Sequence, residues 1–347
     1  MQIDGRPIGP DHPPYIVAEM SGNHGGSLER ALQIVDAVAE AGADALKLQT
    51  YTAETMTIDA DCDDFLISEP ASLWHGRRLY ELYEEAHTPW EWHETIFERA
   101  RSNGLAAFSA PFDATAVDFL ESLDVPAHKI ASFEATDLPL VRHAARTGKP
   151  MIISTGLATA SEIEAAVTAA REAGCRDLLV FKCTSAYPAS PRDSNLATIA
   201  HLQQLSGAPV GLSDHTRGIG AAIASVALGA VAIEKHVTYS RSDETVDSAF
   251  SLEPAELAQL VVESRRAWEA IGTVHYGPTE EERDSLRLRR SLYLVQDVAA
   301  GEVLTRENVR SIRPGYGLPP GRIHDVLGLR TTHSIPRGTP LSWDHLR

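Results

Sequence analysis

Cysteine is scarce in this chain: its three copies, Cys62, Cys175 and Cys183, stand in no metal-ligand spacing. Their odd number argues against a complete disulfide framework and favours a reducing compartment. Positive charge is also short. The 31 Lys and Arg residues face 48 Asp and Glu, a formal net charge of -17. That balance disfavours a general nucleic-acid or anionic-membrane surface, although a local basic pocket for a small anion remains compatible with it. No apolar run approaches the roughly 20 residues of a membrane span. The amino-terminal MQIDGRPIGPDHPPYI also lacks the basic segment and apolar run of a secretory signal. The expectation is a soluble cytoplasmic protein with neither nucleic acid nor membrane as a partner.

What is present is an ordinary globular balance, 43% apolar and 23% charged, in 347 residues. That length suits one domain of roughly 250 residues and a small second one. From residue 15 to residue 270, short apolar runs alternate with segments of helical period. The runs are YIVAEM (15–20), ALKLQT (45–50), LAAFSA (105–110), AHKIAS (127–132), MIISTG (151–156), LLVFKCT (178–184), VGLSDH (210–215) and AIEKHVT (232–238). Between them, stretches such as 27–42, 159–174 and 216–229 read as helices, with Ser or Thr near the starts and Gly near the ends. Eight such units favour a closed (β/α)8 TIM barrel over residues 1–270, with a doubly wound sheet as the alternative.

Polar residues gather at the carboxyl ends of these runs, which in a parallel barrel share one face. Parity sharpens the pattern. On a strand, Ser213 and His215 lie on one side, as do Glu234 and His236, while Asp214 and Lys235 point the other way. Two inward histidines on neighbouring strands can share one divalent metal. The alternative is that each only caps its strand end through hydrogen bonds.

The long stretch 52–104 reads as an acidic rim loop followed by a helix over TPWEWHETIFERARSNG, with Pro near its first turn. Its Trp74, Tyr80, Tyr83, Trp90 and Trp92 can stack on a substrate, with local packing the plainer account of each. GIGAAIA (218–224) lacks the third glycine of a dinucleotide fingerprint. Residues 271–290 turn charge-dense, as a linker does. Beyond them, 291–347 suggest a small domain in which GEVLTRENV (301–309) is echoed by GTPLSWDHL (338–346), a capped turn repeated in two halves.

Taken in order, AEMSGNH, ALKLQT, FSAPFD, HKIAS, ISTG, CTSAYP, GLSDHT and IEKHVT, followed by RPGYG, resemble the sialic acid synthase family over essentially the entire chain. LYELYEEAHTPWEWH, PFDATAVDFL, SAFSLEP and SIRPGYGLPP are most similar to the family's pseudaminic acid branch. The terminal part resembles the antifreeze-like, or SAF, domain. The resemblance implies condensation of phosphoenolpyruvate with an open-chain amino sugar, here 2,4-diacetamido-2,4,6-trideoxy-L-altrose, with release of phosphate. Acceptors leading to N-acetylneuraminate or legionaminate are the enzymatic alternative, and an inactive sugar-binding homologue the other.

By the same resemblance, His215 and His236 bind a divalent metal, Mn²⁺ in the first place and Mg²⁺ as the alternative. Lys47, Lys129, Ser132, Ser154, Ser185 and Ser213 surround phosphoenolpyruvate. Glu19 and Asp247 lie near the acceptor sugar, with Gln49 and Tyr187 as weaker contacts, and Glu234 moves a proton or positions water. Arg313 reaches the sugar pocket of a second subunit in a domain-swapped homodimer; stapling its own turn is the alternative. Two departures stand out. Ala110 replaces a hydroxyl residue, so that contact is either missing or supplied by Ser109 or backbone, and SRSDETVDSAF replaces a more glycine-rich approach to Asp247.

Overall fold

The computed structural model describes residues 1–70 and 72–347, which divide into two compact units, Met1–Gly272 and Thr273–Arg347. The first opens on an antiparallel hairpin, β1 (Gln2–Ile3) and β2 (Arg6–Pro7). Eight parallel strands follow: β3 (Tyr15–Glu19), β4 (Ala45–Thr50), β5 (Ala106–Pro111), β6 (His128–Ile130), β7 (Met151–Ser154), β8 (Leu178–Cys183), β9 (Val210–Asp214) and β10 (Ala232–His236). β10 pairs with both β9 and β3, so the sheet closes into a TIM barrel. Of all the barrel-strand residues only Gln49 escapes full burial. Helices cover the outside and side chains fill the inside, which is why these runs are continuously apolar instead of alternating.

Local chemistry sets the helices. Ser27 accepts a hydrogen bond from the Arg30 N–H and caps helix Leu28–Glu40, whose Ala31, Ile34, Val35 and Val38 turn inward at helical spacing. Thr159 and Glu162 form a reciprocal capping box on helix Ala160–Glu172. The helix expected over 216–229 is shorter, Gly220–Ala227. The Thr216 N–H and hydroxyl both donate to the Asp214 carboxylate, and Gly218 has a left-handed φ of 70°. The first four residues of that stretch are therefore loop.

The rim stretch is more ordered than its composition suggests, with short helices Ala53–Met56 and Leu79–Ala86 before helix His93–Ser102. In the second unit, β11 (Ser291–Leu294) pairs antiparallel with β12 (Val309–Ile312). The repeated turn is real in atomic detail. The Thr305 Oγ1 accepts from the Glu307 N–H, and the Thr305 N–H donates to Asn308. Ser342 does the same with the Asp344 N–H and His345.

One close approach in the barrel tests its packing. A Cβ on Gly211 of β9 would lie 2.4 Å from the Phe181 ring on β8 and 2.6 Å from the Ala232 carbonyl oxygen. Gly211→Ala should lower stability by about 1–3 kcal/mol, the usual effect of an overpacked core. The readout is the midpoint of denaturant unfolding; an unshifted midpoint would contradict the packing described.

Candidate active site

The register of the barrel places a row of ionisable groups side by side. His236 on β10 stands opposite Glu19 on β3, and Glu19 opposite Lys47 on β4. One pleat lower, Glu234 stands opposite Ser213 on β9. Lys47 pairs with Glu19 and lies 3.8 Å from Glu234, while Lys129 approaches Glu234 at 3.4 Å from the far side. The Ser213 hydroxyl donates to the same Glu234 carboxylate at 3.1 Å.

All these groups are nearly inaccessible to water, so their charges depend on one another. Burial pushes both carboxyls upward. At Glu234 the charges of Lys129 and Lys47, with the Ser213 hydrogen bond, prevail and hold the pKa below its ordinary value. At Glu19 burial and the adjacent Glu234 charge win, and the pKa is raised despite Lys47. For His236, burial and the positive neighbours His215, Lys47 and Lys129 drive the pKa well down. Its ring is therefore neutral at physiological pH and carries a lone pair.

The two histidines meet as parity requires, with ring centroids 5.3 Å apart. His215 Nδ1 lies 2.9 Å from the Thr184 carbonyl oxygen, which accepts a hydrogen bond from it and leaves Nε2 as the ring nitrogen available to a ligand. His236 Nδ1 is buried without a hydrogen-bond partner, 3.6 Å from Asp247. Among the described residues no group of three or more His, Cys, Asp or Glu side chains forms a closed metal cage. The donor set, two imidazoles with one buried nitrogen unsatisfied, fits an open site that a bound substrate would complete.

Behind the strands, Lys235 donates to Asp214 at 3.0 Å and to the Thr216 carbonyl. Asp214 thus holds the loop that follows its own strand, and neither residue lines the cavity. Asp214 and His215 therefore work on opposite sides of the sheet, as do Lys235 and His236, while Glu234 shares the cavity side with His236.

The front side opens into a cavity of about 390 Å³, within the usual size range of a small-molecule site. It is lined by Lys47, Gln49, Lys129, Ser132, Ser185, Tyr187, Ser213, His215, Glu234, His236 and Asp247. Two other expected residues stand back from it. Glu19 sits behind Lys47, and Ser154 is fully buried with an unpartnered hydroxyl. Arg313 belongs to the second unit, where its side chain is exposed. Ser132 accepts from the Gly156 N–H, leaving its own hydrogen free, and any Cβ on Gly156 would collide with the Ser185 and Ser132 hydroxyls. The glycine lets backbone approach both hydroxyls closely.

One of the alternatives at Ala110 is excluded. Ser109 does not replace the hydroxyl missing at Ala110: Ala110 lines the cavity, whereas Ser109, one residue earlier on β5, points outward and bonds Thr50 at 2.6 Å. Parity forbids both from facing inward. Of the five rim aromatics, Trp74 and Tyr83 line the cavity. Trp90 stacks on Phe119, Trp92 meets the His24 ring edge-on, and Tyr80 donates to Glu54.

The cavity residues that the sequence does not single out include three with reactive side chains, Ser21, Cys183 and Glu134. Ser21 donates to Asp247 at 2.5 Å from a left-handed backbone, φ 49°. Cys183 lies 3.8 Å from His215 Nδ1; burial pushes its thiol up, but His215 brings it to about 7. Glu134 has one buried carboxylate oxygen with no partner, and burial, opposed by Lys129, raises its pKa to about 7. Their shared signal was position, at or just past a strand end, but many other residues carry it.

Comparison with known proteins gives a consistent picture. A model of the NeuB family matches residues 34–276, and one of the SAF domain matches 289–347. The chain is 43% identical to pseudaminic acid synthase of Campylobacter jejuni, covering 96% of each chain. It is 35% identical to N,N'-diacetyllegionaminic acid synthase of Legionella pneumophila, covering 99% of this chain and 98% of that one. The crystal structure of N-acetylneuraminic acid synthetase from Leptospira borgpetersenii superposes with a TM-score of 0.73 at 32% identity, over 82% of this chain and 94% of that one.

Glu134 makes stability depend on pH in a definite direction. Its folded pKa of about 7 lies above its ordinary 4.5, so the folded chain keeps a proton that the unfolded chain has lost in between. The resulting stabilisation is complete below the lower value and vanishes as pH rises through the upper one. Between about pH 5 and about pH 8, wild type should lose stability relative to Glu134→Gln, which cannot ionise. Denaturant midpoints of the two proteins, measured at both pH values, check this; a constant difference would contradict the raised pKa.

Proposed function

The chain belongs to the NeuB family of nonulosonate synthases, and from that premise we propose that it condenses phosphoenolpyruvate with 2,4-diacetamido-2,4,6-trideoxy-L-altrose and water to give pseudaminic acid and phosphate. The observation that carries the reading is the cavity floor, where two lysines bracket one buried carboxylate beside a pair of histidines. A trianionic substrate needs cations and hydroxyl donors in a site removed from water. Lys47, Lys129, Ser132, Ser185 and Ser213 are that set in this proposal, and Ser154, set back from the cavity, would act only from behind them. The 43% identity to a pseudaminic acid synthase favours the altrose acceptor over those of the other branches.

His215 and His236 would hold a divalent metal, Mn²⁺ in the first place and Mg²⁺ as the alternative. When bound, such an ion supplies Lewis acidity toward the acceptor aldehyde. C3 of phosphoenolpyruvate then forms a bond to the aldehyde carbon and leaves positive character at C2. Water adds at C2, and collapse of that tetrahedral centre breaks its bond to the phosphate oxygen. Glu234, held ionised by its lysines, can stabilise positive character or accept a proton from the water. Glu134, with a pKa near 7, can give a proton as readily as take one. Asp247, fixed by Ser21, and Gln49 and Tyr187 would hold acceptor hydroxyls, while Glu19 keeps Lys47 charged and in place. Holding both substrates in one cavity supplies much of the rate gain.

Arg313 would complete the sugar pocket of the other subunit in a domain-swapped homodimer, its planar fork suited to a carboxylate or phosphate.

Phosphate release should require phosphoenolpyruvate, the altrose acceptor and Mn²⁺ together; release without acceptor, or none with all three, would defeat the assignment. His215→Ala and His236→Ala should each lower turnover by more than the roughly 10- to 100-fold that loss of a supporting partner costs a metal site. Circular dichroism should show the barrel still folded, and full activity in both variants would remove the metal pair from the mechanism.

Arg313→Ala and His236→Ala should each be inactive alone yet regain turnover when mixed, because a heterodimer restores one intact site. Failure of the mixture to recover activity would argue against the arrangement across subunits.

A further inference from the structure

The cavity is polar below and apolar above. Its floor is the row of lysine, glutamate and histidine at the strand ends; its roof comes from the rim stretch 52–86. Among the described residues, every side chain which that stretch contributes to the lining is apolar or aromatic, Met56, Ile67, Leu79 and Leu82 included. The same stretch is rich in acid, yet Asp59, Asp61, Asp63, Asp64 and Glu69 all point to solvent.

Helix Leu79–Ala86 shows how the sorting arises. Leu79, Leu82, Tyr83 and Ala86 fall at i, i+3, i+4 and i+7, one stripe of the helix, and all four line the cavity. An amphipathic helix ordinarily buries such a stripe in a core. This one closes it over a ligand space, which is why Leu79 and Tyr83 remain only half-buried. Trp74 lines the same side with its indole N–H already committed to the Val246 carbonyl. The Tyr83 hydroxyl is then the one polar side-chain group on the roof without a hydrogen-bond partner among the described residues.

We infer that this roof selects the acceptor by the group at C6, admitting a methyl and discriminating against a hydroxymethyl. The inference rests on the synthase reading above, since that reading fixes how the sugar lies. The aldehyde C1 must meet phosphoenolpyruvate at the polar floor. C6 is the carbon farthest from C1 along the open chain, so it meets the roof. A methyl there exchanges water for aliphatic contacts, whereas a hydroxyl loses its water and finds, among the roof side chains, only the Tyr83 hydroxyl. Met56, Ile67, Leu79 and Leu82 are thus specificity-determining residues that read the C6 substituent.

The test uses unreactive alditols, so that recognition is read apart from chemistry. Calorimetric titrations with phosphoenolpyruvate and Mn²⁺ present would compare 2,4-diacetamido-2,4,6-trideoxy-L-altritol with its 6-hydroxy counterpart, and the matching pair derived from N-acetylmannosamine. An apolar pocket confronted with an added hydroxyl discriminates by about 100-fold, and that preference for the 6-deoxy member is expected. Leu79→Asn and Ile67→Asn, two half-buried positions, should each bring the ratio below about 10-fold by offering a hydrogen-bond partner. Equal affinities in wild type, no measurable binding in either pair, or an unchanged ratio in both variants would overturn the inference. Phosphate release from the reactive sugars, run in parallel, reads the synthase assignment separately: its absence alongside the expected alditol ratio would sink that assignment and with it the orientation argued here, whereas release with equal alditol affinities would sink the inference alone.

Discussion

Everything at the centre of this barrel depends on two lysines that have almost no access to water. A buried ammonium is tolerated only where carboxylates face it closely enough to offset lost hydration. Here Glu19 and Glu234 do so from neighbouring strands, with Lys129 closing the group on the other side. Because each partner comes from a different strand, the network also reports on the barrel's closure. A slip of one residue between β10 and β3 would turn Glu234 away from the site and place Lys235 among the lysines.

The back of the same strands shows the converse arrangement. Lys235 and Asp214 neutralise each other outside the cavity, and Asp214 also secures the loop after β9. That loop follows His215, whose ring is oriented by the Thr184 carbonyl. The outward residues of GLSDHT and AIEKHVT therefore give rigidity and the inward ones chemistry. The two strand ends thus give one inward pair of histidines, with Glu234 beside them, and one outward ion pair of Asp214 with Lys235, a separation that follows from the two-residue period of a strand.

The cavity divides its labour as well. Strand ends furnish charge with fixed geometry, and a helical segment of the rim insertion furnishes an apolar surface. Strands are held by neighbours on both sides, which suits groups whose placement governs reactivity. The rim has fewer such ties and can vary in composition without disturbing the barrel, the usual place for substrate choice to reside.

The eight strands were legible because continuous apolar runs bounded by turn residues are a local signal, and parity along one strand is local too. His215, His236, Ser213 and Glu234 could be assigned to one face on that basis, as could the outward pair Asp214 and Lys235. The repeated turn of the second unit was equally plain, since Thr305 and Ser342 use the same capping chemistry within a few residues. Other features were not legible because they join distant segments. Nothing near Ser21 announces Asp247, nothing near Glu134 announces its burial beside Lys129, and the apolar stripe of Leu79–Ala86 does not say whether it faces a core or a cavity. The sequence by itself determined which residues share a side of each element, a matter of backbone period. Only the tertiary structure decided which sides face each other across the cavity, because that depends on the register and closure of eight strands at once.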